Sequence, residues 1–519
     1  MSWSYQGIQT TVRSDGKGEF STSNSMHASK SKIKYICLSD LHLGSHSALL
    51  TDTPATDGTS GNGTSAGPLR DAFSAALIKT LETFDPAPQP EELPFVVLLG
   101  DIFDLSLGTP KSSIQTFGAF LDSLMNAGAG DAFGPFIFLP GNHDHELWTV
   151  TRFQDMIGAS EADDNYVHTT PAFADPQTQP VAALMDRILT DKGFKPATTF
   201  YPNMGLRSDD NKRMVVLHHG HFVESMYRVM STLTSLLNGS PNISFGAETL
   251  ERLNSSWIDF IWSTDGDNGE LGTDITRAFH ALMTGRQDLR FDHRLAHILA
   301  EKLAAGLPLP HTAKARTWTE NAARAFVDST LGNFSQMERF SYHETLGADS
   351  LAGLKTYISD TVQRQISDEL PGAEVEDLTF IFGHTHKPFE TRVTVPGFAT
   401  PPAIYNTGGW DMDTPMFGTR LGGAAVFIDE DLNVASLRVC DVPQQADDAA
   451  PSRVRVVTAD GTPDKNPLAQ GLQRAVSANQ GLWDAFSAKA AEAYRVKQAY
   501  IMEQHQTGND RENETGGTS

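Results

Sequence analysis

The chain has 519 residues, 39% of them apolar and 20% charged, with a net charge of −24. That length can bury a sizeable core, and that balance excludes both a membrane bundle and a disordered chain. The acidic surface disfavours bulk binding of nucleic acid, and two cysteines in so long a chain, Cys37 and Cys440, exclude a disulfide framework.

Residues 1–31 are polar and Ser-rich and read as a flexible arm. Residues 32–40 (KIKYICLSD) predict a strand, and 51–67, nearly all Gly, Ser and Thr, a surface loop. Helical spacing follows over 69–84. A continuous apolar run at 93–101 (LPFVVLLGD) predicts a strand buried on both faces. A helix over 111–127, a strand at 135–144 and a helix beginning near Glu146 complete a strand–helix alternation that argues for a layered α/β core. Residues 197–220 predict a hairpin turning at Ser208–Asn211.

From Phe222 the period becomes helical, first in a stripe of Phe222, Val223, Met226, Tyr227, Met230, Leu233 and Leu237, then over 274–285, 290–305, 315–332 and 346–368. The segment Trp257–Trp262 reads as helical core or as an apolar wall for a substrate. Arg286, Arg290 and Arg294 share a helix face and read as solvated. Strands resume at 378–384, 389–395, 402–407 and 424–439. The expected plan is an arm (1–31), a core (32–221), a helical insertion forming a lid or cap (222–376), the rest of the core (377–442), and a C-terminal extension (443–519). That extension carries an amphipathic helix over 481–505 and a disordered tail from 506. No apolar leader opens the chain and no run of 18 apolar residues occurs, so the expected compartment is the cytoplasm.

Five segments share one pattern, an apolar strand ending in metal-type ligands: Asp40-Leu41-His42, Gly100-Asp101-Ile102-Phe103-Asp104, Gly141-Asn142-His143-Asp144, His218-His219-Gly220-His221 and Gly383-His384-Thr385-His386. Functional groups of open α/β sheets gather beyond the carboxyl ends of strands, so these ligands are expected on one rim. Oxygen donors mixed with imidazoles suit borderline first-row cations, and no thiolate takes part. There are too many ligands for one ion, but two ions sharing a carboxylate use them all. Two such ions clamp the oxygens of a phosphoryl centre, so hydrolysis of a phosphate ester or anhydride is the expected chemistry.

The ordered set DxH, GDxxD, GNHD, HGH and GHTH resembles the calcineurin-like metallophosphoesterase superfamily, over roughly 32–220 and 376–442. The resemblance implies a four-layer α/β/β/α sandwich, here with a large helical insertion. It implies that Asp40, His42 and His386 hold one divalent ion, that Asp101 bridges to a second, and that Asn142, His219 and His384 complete the second. His143 would be the non-ligand histidine that stabilises phosphoryl oxygens or protonates the leaving group, and Asp104 the carboxylate that orients it. Asn406–Trp410 resembles the Asn-x-Gly strand end lining the same rim. Mn²⁺ is the first expectation, with Fe and Zn also fitting, and the implied reaction is in-line attack by a metal-bridging hydroxide.

Asp104 is followed by Leu105 rather than Arg, and residue 144 is Asp rather than Glu, unlike protein serine/threonine phosphatases. The Asp-Leu-His-Leu opening and the helical insert look like UDP-2,3-diacylglucosamine pyrophosphohydrolases, which typically carry Arg in place of His143. The expected substrate is therefore a phosphorylated small molecule or lipid-linked compound, cleaved by a phosphodiesterase or phosphatase activity, with no substrate-binding residue assigned. Two other readings stay open, a non-catalytic metal-bound interaction module and a nuclease of the same superfamily.

Overall fold

The computed structural model describes residues 31–54, 63–158, 167–237, 245–263, 345–412, 422–441, 454–461 and 463–515. Contacts divide the chain into two compact units, 1–30 and 31–519, and every described residue lies in the second.

Two sheets form the frame. The first contains β1 (Ile33–Leu38), β2 (Phe95–Leu98), β3 (Phe136–Phe138), β4 (Ala197–Thr199), β10 (Gly422–Asp429), β11 (Val434–Asp441) and β12 (Arg455–Val457), in the order β12-β11-β10-β1-β2-β3-β4. Strands β1 to β4 run parallel, and β10 joins β1 antiparallel. The second contains β5 (Asn203–Arg207), β6 (Arg213–His218), β7 (Asp377–Phe382), β8 (Phe389–Arg392) and β9 (Ala403–Asn406), in the order β5-β6-β7-β9-β8. Here β6, β7 and β9 run parallel.

Side chains alternate between faces with period two, and that alternation sorts the core. Cys37, Val97, Leu99, Ile137 and Leu139 of the first sheet pack with Val215, Leu217, Ile381 and Tyr405 of the second. The opposite face of the first sheet (Ile36, Leu38, Val96, Leu98, Phe136, Phe138) packs with α1 (Gly67–Phe84), α2 (Pro110–Asn126) and the C-terminal helices. The opposite face of the second (Met214, Val216, Phe380, Phe382) packs with Phe222, Tyr227, Trp257 and Tyr357. The described residues thus form a mixed α/β protein with two sheets and flanking helices.

Local signals set several boundaries. The Thr109 side chain accepts from the Ser112 N–H and Pro110 opens α2; Asn466 and Pro467 do the same for the helix Pro467–Ala478. The expected helices at 69–84, 111–127 and from Glu146 are α1, α2 and α3 (His145–Gly158). Other expectations change. The TTF run of the expected hairpin pairs with β3 in the first sheet, and the hairpin itself is β5–β6 in the second. The 424–439 run is two strands, β10 and β11, because Asp429 ends the first in a turn to Asn433. Helix α4 (Ala183–Asp191), β12 and Pro467–Ala478 were not anticipated.

The helix Gln480–Thr515 buries Trp483, Phe486, Ala490, Tyr494 and Ile501 along one face, and Trp483 Nε1 donates to Thr80 Oγ1 at 3.0 Å. It runs ten residues into the segment expected to be disordered; a polar composition argues that no face is buried and does not forbid helical hydrogen bonds. The insertion's described parts are helical: short turns at His221–Val223 and Ser225–Arg228, α5 (Val229–Leu237), α6 (Ala247–Ile258), and a continuous stretch Ala348–Glu369 whose middle turn is a π-helix. The helices expected at 274–285, 290–305 and 315–332, with Arg286, Arg290 and Arg294, lie outside the described residues. Among the described residues no helix is long and apolar enough to cross a membrane.

Candidate metal centre

The carboxyl ends of β1, β2 and β3 from one sheet, and of β6, β7 and β9 from the other, lead into the five ligand-bearing segments and into Asn406. Backbone bonds hold the loops together: Asp40 N–H to Gly100 O at 3.0 Å, His42 N–H to Asp101 O at 2.9 Å, and Trp410 N–H to Asp40 O at 2.9 Å. The turns are sharp enough that Asp40, His42, Asp101, His384 and His386 all have φ between 46° and 67°. Left-handed backbone is uncommon outside glycine, and its cost of ~1–3 kcal/mol per residue is borne where the surrounding structure enforces it. Glycines sit where backbone and these carboxylates nearly touch. A Cβ on Gly383 would come within 2.1 Å of Asp40 Oδ2, and one on Gly141 within 2.2 Å of Asp101 Oδ1.

All nine candidate site residues are buried, and they meet. His386 Nε2 lies 3.3 Å from Asp40 Oδ1 and 3.0 Å from His42 Nε2. Asp101 Oδ2 lies 3.2 Å from His219 Nε2 and 3.7 Å from His42 Nε2. Asn142 Oδ1 lies 3.1 Å from His219 Nε2. Three overlapping groups, Asp40–His42–His386, His42–Asp101–His143 and Asp101–His219–His384, each bring their donor atoms within 4.8 Å of one another. Two imidazole nitrogens 3.0 Å apart, each able to offer a lone pair inward, form a donor set suited to a cation. The buried Asn142 Nδ2 has no hydrogen-bond partner among the described residues, as fits an amide whose oxygen is the functional end.

Asp104 faces two histidines: Oδ2 lies 3.0 Å from His42 Nδ1 and Oδ1 3.3 Å from His143 Nδ1. Burial alone would raise its carboxyl, yet His143 and His42 hold it well below the usual carboxylate range. Asp101 is held well below its ordinary value in the same way, burial being outweighed by His219, His143 and His42. The Asp144 carboxylate accepts from the backbone N–H groups of Gly141 at 2.6 Å and Ile102 at 2.8 Å, pinning the second loop to the third. Burial, and then Asp101, push Asp144 up to about 7.

Of the histidines in the His218-His219-Gly220-His221 segment, His219 joins the donor groups. His218 stacks among Tyr357, Phe222 and Phe380, and His221 lies 3.2 Å from the Tyr201 hydroxyl. Asn406 donates to Gly383 O at 2.8 Å, and Gly409 packs on the His386 ring. Trp257 is helical core, with its Nε1 donating to Met226 O, while Trp262 reaches the rim, 5.7 Å from the His143 ring.

Several residues escaped the sequence reading. Ser106 Oγ lies 2.7 Å from His143 Nδ1, and the Asp104-x-Ser106 turn, closed by the Ser106 and Leu107 N–H groups on Asp104, was its available signal. Glu224 Oε1 lies 3.1 Å from His384 Nε2. Ser263 donates to Asn142 O at 2.7 Å.

His145 opens α3 and is buried, with a carboxylate against each ring nitrogen: Glu251 of α6 at 3.1 Å and Asp259, just past the end of α6, at 2.6 Å. Arg152 and the Tyr201 hydroxyl also bind Glu251. Burial would lower His145, but Glu251 and Asp259 raise it to about 10, from an ordinary 6.5. Because the folded value is the higher, this stabilisation is complete below about pH 6.5 and is lost as pH climbs towards about 10. Denaturant unfolding should therefore show stability falling over that window, with a flatter profile in Glu251→Gln. The variant should also lose about 3–5 kcal/mol at neutral pH, the scale of breaking a buried ion pair. A wild-type profile flat across that window would contradict the assignment.

Residues 33–271 match the family model for calcineurin-like phosphoesterases. The calcineurin-like match takes in Asp40, His42, Asp101, Asp104, Asn142, His143 and His219 and stops short of His384 and His386, which the fold brings to the same rim. No curated protein matches the chain. One solved structure similar to it is a dimetal phosphatase from Danio rerio, 12% identical, covering 83% of this chain and 99% of that one at a TM-score of 0.28.

Proposed function

We propose that the protein is a dinuclear metal-dependent phosphohydrolase that cleaves a phosphoester or phosphoanhydride bond of a small or lipid-linked substrate. The observation that carries this reading is the chain of three donor groups joined through His42 and Asp101. The residues fit two cations: Asp40, His42 and His386 would hold one, Asn142, His219 and His384 the other, and Asp101 both. Two divalent ions, Mn²⁺ foremost, would supply Lewis acidity, acidifying water and drawing charge from phosphoryl oxygens.

The protein's own groups do the rest. Asp40 and Asp101 bring negative charge into a buried site and so favour cations there. Asp104 and Ser106 orient His143 through Nδ1, so that Nε2 presents the proton to the leaving oxygen. The Asn142 amide oxygen lies 3.1 Å from His219 Nε2, and beside the cations it would help neutralise charge developing on the phosphoryl oxygens. Trp262 lies beside the His143 ring, at 5.7 Å.

Purified protein given Mn²⁺ should turn over at least one of a chromogenic phosphodiester, a phosphomonoester and a nucleotide pyrophosphate. Chelation should abolish that turnover and added Mn²⁺ restore it. Full activity of metal-free protein would refute the reading, and two bound ions with no turnover of any substrate would favour an interaction module.

A further inference from the structure

Each candidate ligand imidazole on this rim needs one nitrogen for the cation and a fixed partner on the other, because the partner sets tautomer and ring orientation. His42 turns Nε2 to His386 and Asp101, and Asp104 lies 3.0 Å from its Nδ1. His219 turns Nε2 to Asp101 and Asn142, and the Leu99 carbonyl lies 3.0 Å from its Nδ1. For His384 the corresponding group comes from the first turn of the insertion. Glu224 Oε1 lies 3.1 Å from Nε2 as an ion pair, outside hydrogen-bonding alignment, and both side chains are almost fully buried.

The chain is built to deliver that carboxylate. Gly220, at φ 128°, lets the backbone pass so close that a Cβ would lie 2.8 Å from His384 Cβ. The turn His221–Val223 then closes through Glu224 N–H to His221 O, and the next turn starts as Tyr227 N–H donates to Glu224 O. Tyr227 packs its ring against His384 at 4.9 Å, edge to face. One short segment therefore holds the imidazole from two directions.

We propose that Glu224 is a positioning residue for His384. Its carboxylate pairs with Nε2, fixes the ring, and leaves Nδ1 as the nitrogen that binds the cation shared with Asn142 and His219. This rests on the two-cation reading above. It also gives the insertion a share in the metal centre, since the segment that begins the cap supplies the carboxylate.

The test is calorimetric titration of the metal-free full chain with Mn²⁺ alone, for wild type, Glu224→Gln and Glu224→Ala. Wild type should bind two ions. Both variants should bind one of them about 10–100-fold more weakly, the usual scale for losing such a partner, with the other ion's affinity kept. The melting temperature of the metal-free variants should match wild type. Glu224→Gln keeps the side chain's shape, so it carries the test if Glu224→Ala does not fold. Two ions held by Glu224→Gln and Glu224→Ala at wild-type affinity would overturn the proposal and leave the phosphohydrolase reading standing. Equal weakening of both ions, or lower melting of metal-free Glu224→Gln, would overturn it in favour of a purely structural role. A wild type that binds no Mn²⁺ would overturn both readings.

Discussion

Replacing Asp101 by Asn should lower turnover of a chromogenic phosphodiester by at least about 10³-fold, equivalent to ~4 kcal/mol of barrier, and should strip the protein of bound cations. Asp101 belongs to two of the three donor groups, and only His42 is so shared besides it. Its Oδ1 accepts the His143 backbone N–H at 2.8 Å, and its Oδ2 faces His219 and His42. The amide would keep most of the volume but remove the charge, and could turn an N–H₂ towards the imidazole nitrogens. Cations would then meet one carboxylate fewer at the point where the two halves of the site join. Metal content after dialysis against Mn²⁺, measured beside the initial rate, checks both parts. A variant that retains two ions and wild-type rate would remove Asp101 from the centre.

His143→Ala should behave differently. It should keep both ions and lose about 10²–10⁴-fold in kcat, the usual range for general acid catalysis. The Nδ1 side of the ring is occupied by Ser106 and Asp104, and the ring packs edge-on against His42 at 4.7 Å. The loss should be smallest with an activated aryl leaving group, which departs without a proton, and largest with an alkyl one. Loss of one ion would instead make His143 a ligand, a role its place beside His42 and Asp101 would allow.

What the chain discloses in one dimension is what is written locally. DLH, GDIFD, GNHD, HGH and GHTH each follow a short apolar run, so strand and ligand could be read together. The continuous apolar run at 93–101 was equally local, but which of its residues face which layer was not. Groups whose meaning depends on a distant partner were out of reach. Nothing near Glu224 announces His384, 160 positions later. Nothing around His145 announces Glu251 and Asp259, 106 and 114 positions later. The TTF run looks like one arm of a hairpin because Asn203–His218 follows at once, yet it pairs with β3, and only the register across sheets reveals this. Helix Pro467–Ala478 had an Asn-Pro start that could have been used; its apolar face, Leu468, Leu472, Ala475 and Val476, is narrow and falls between polar stretches. Left-handed backbone at Asp40 and His386 leaves no mark in residue types that are there for their side chains.

The most direct test is an anomalous difference map from crystals grown with Mn²⁺. Two peaks about 3.5–4 Å apart are expected, one touching Asp40, His42 and His386, the other Asn142, His219 and His384, with Asp101 reaching both. A single peak, or peaks away from these residues, would contradict it.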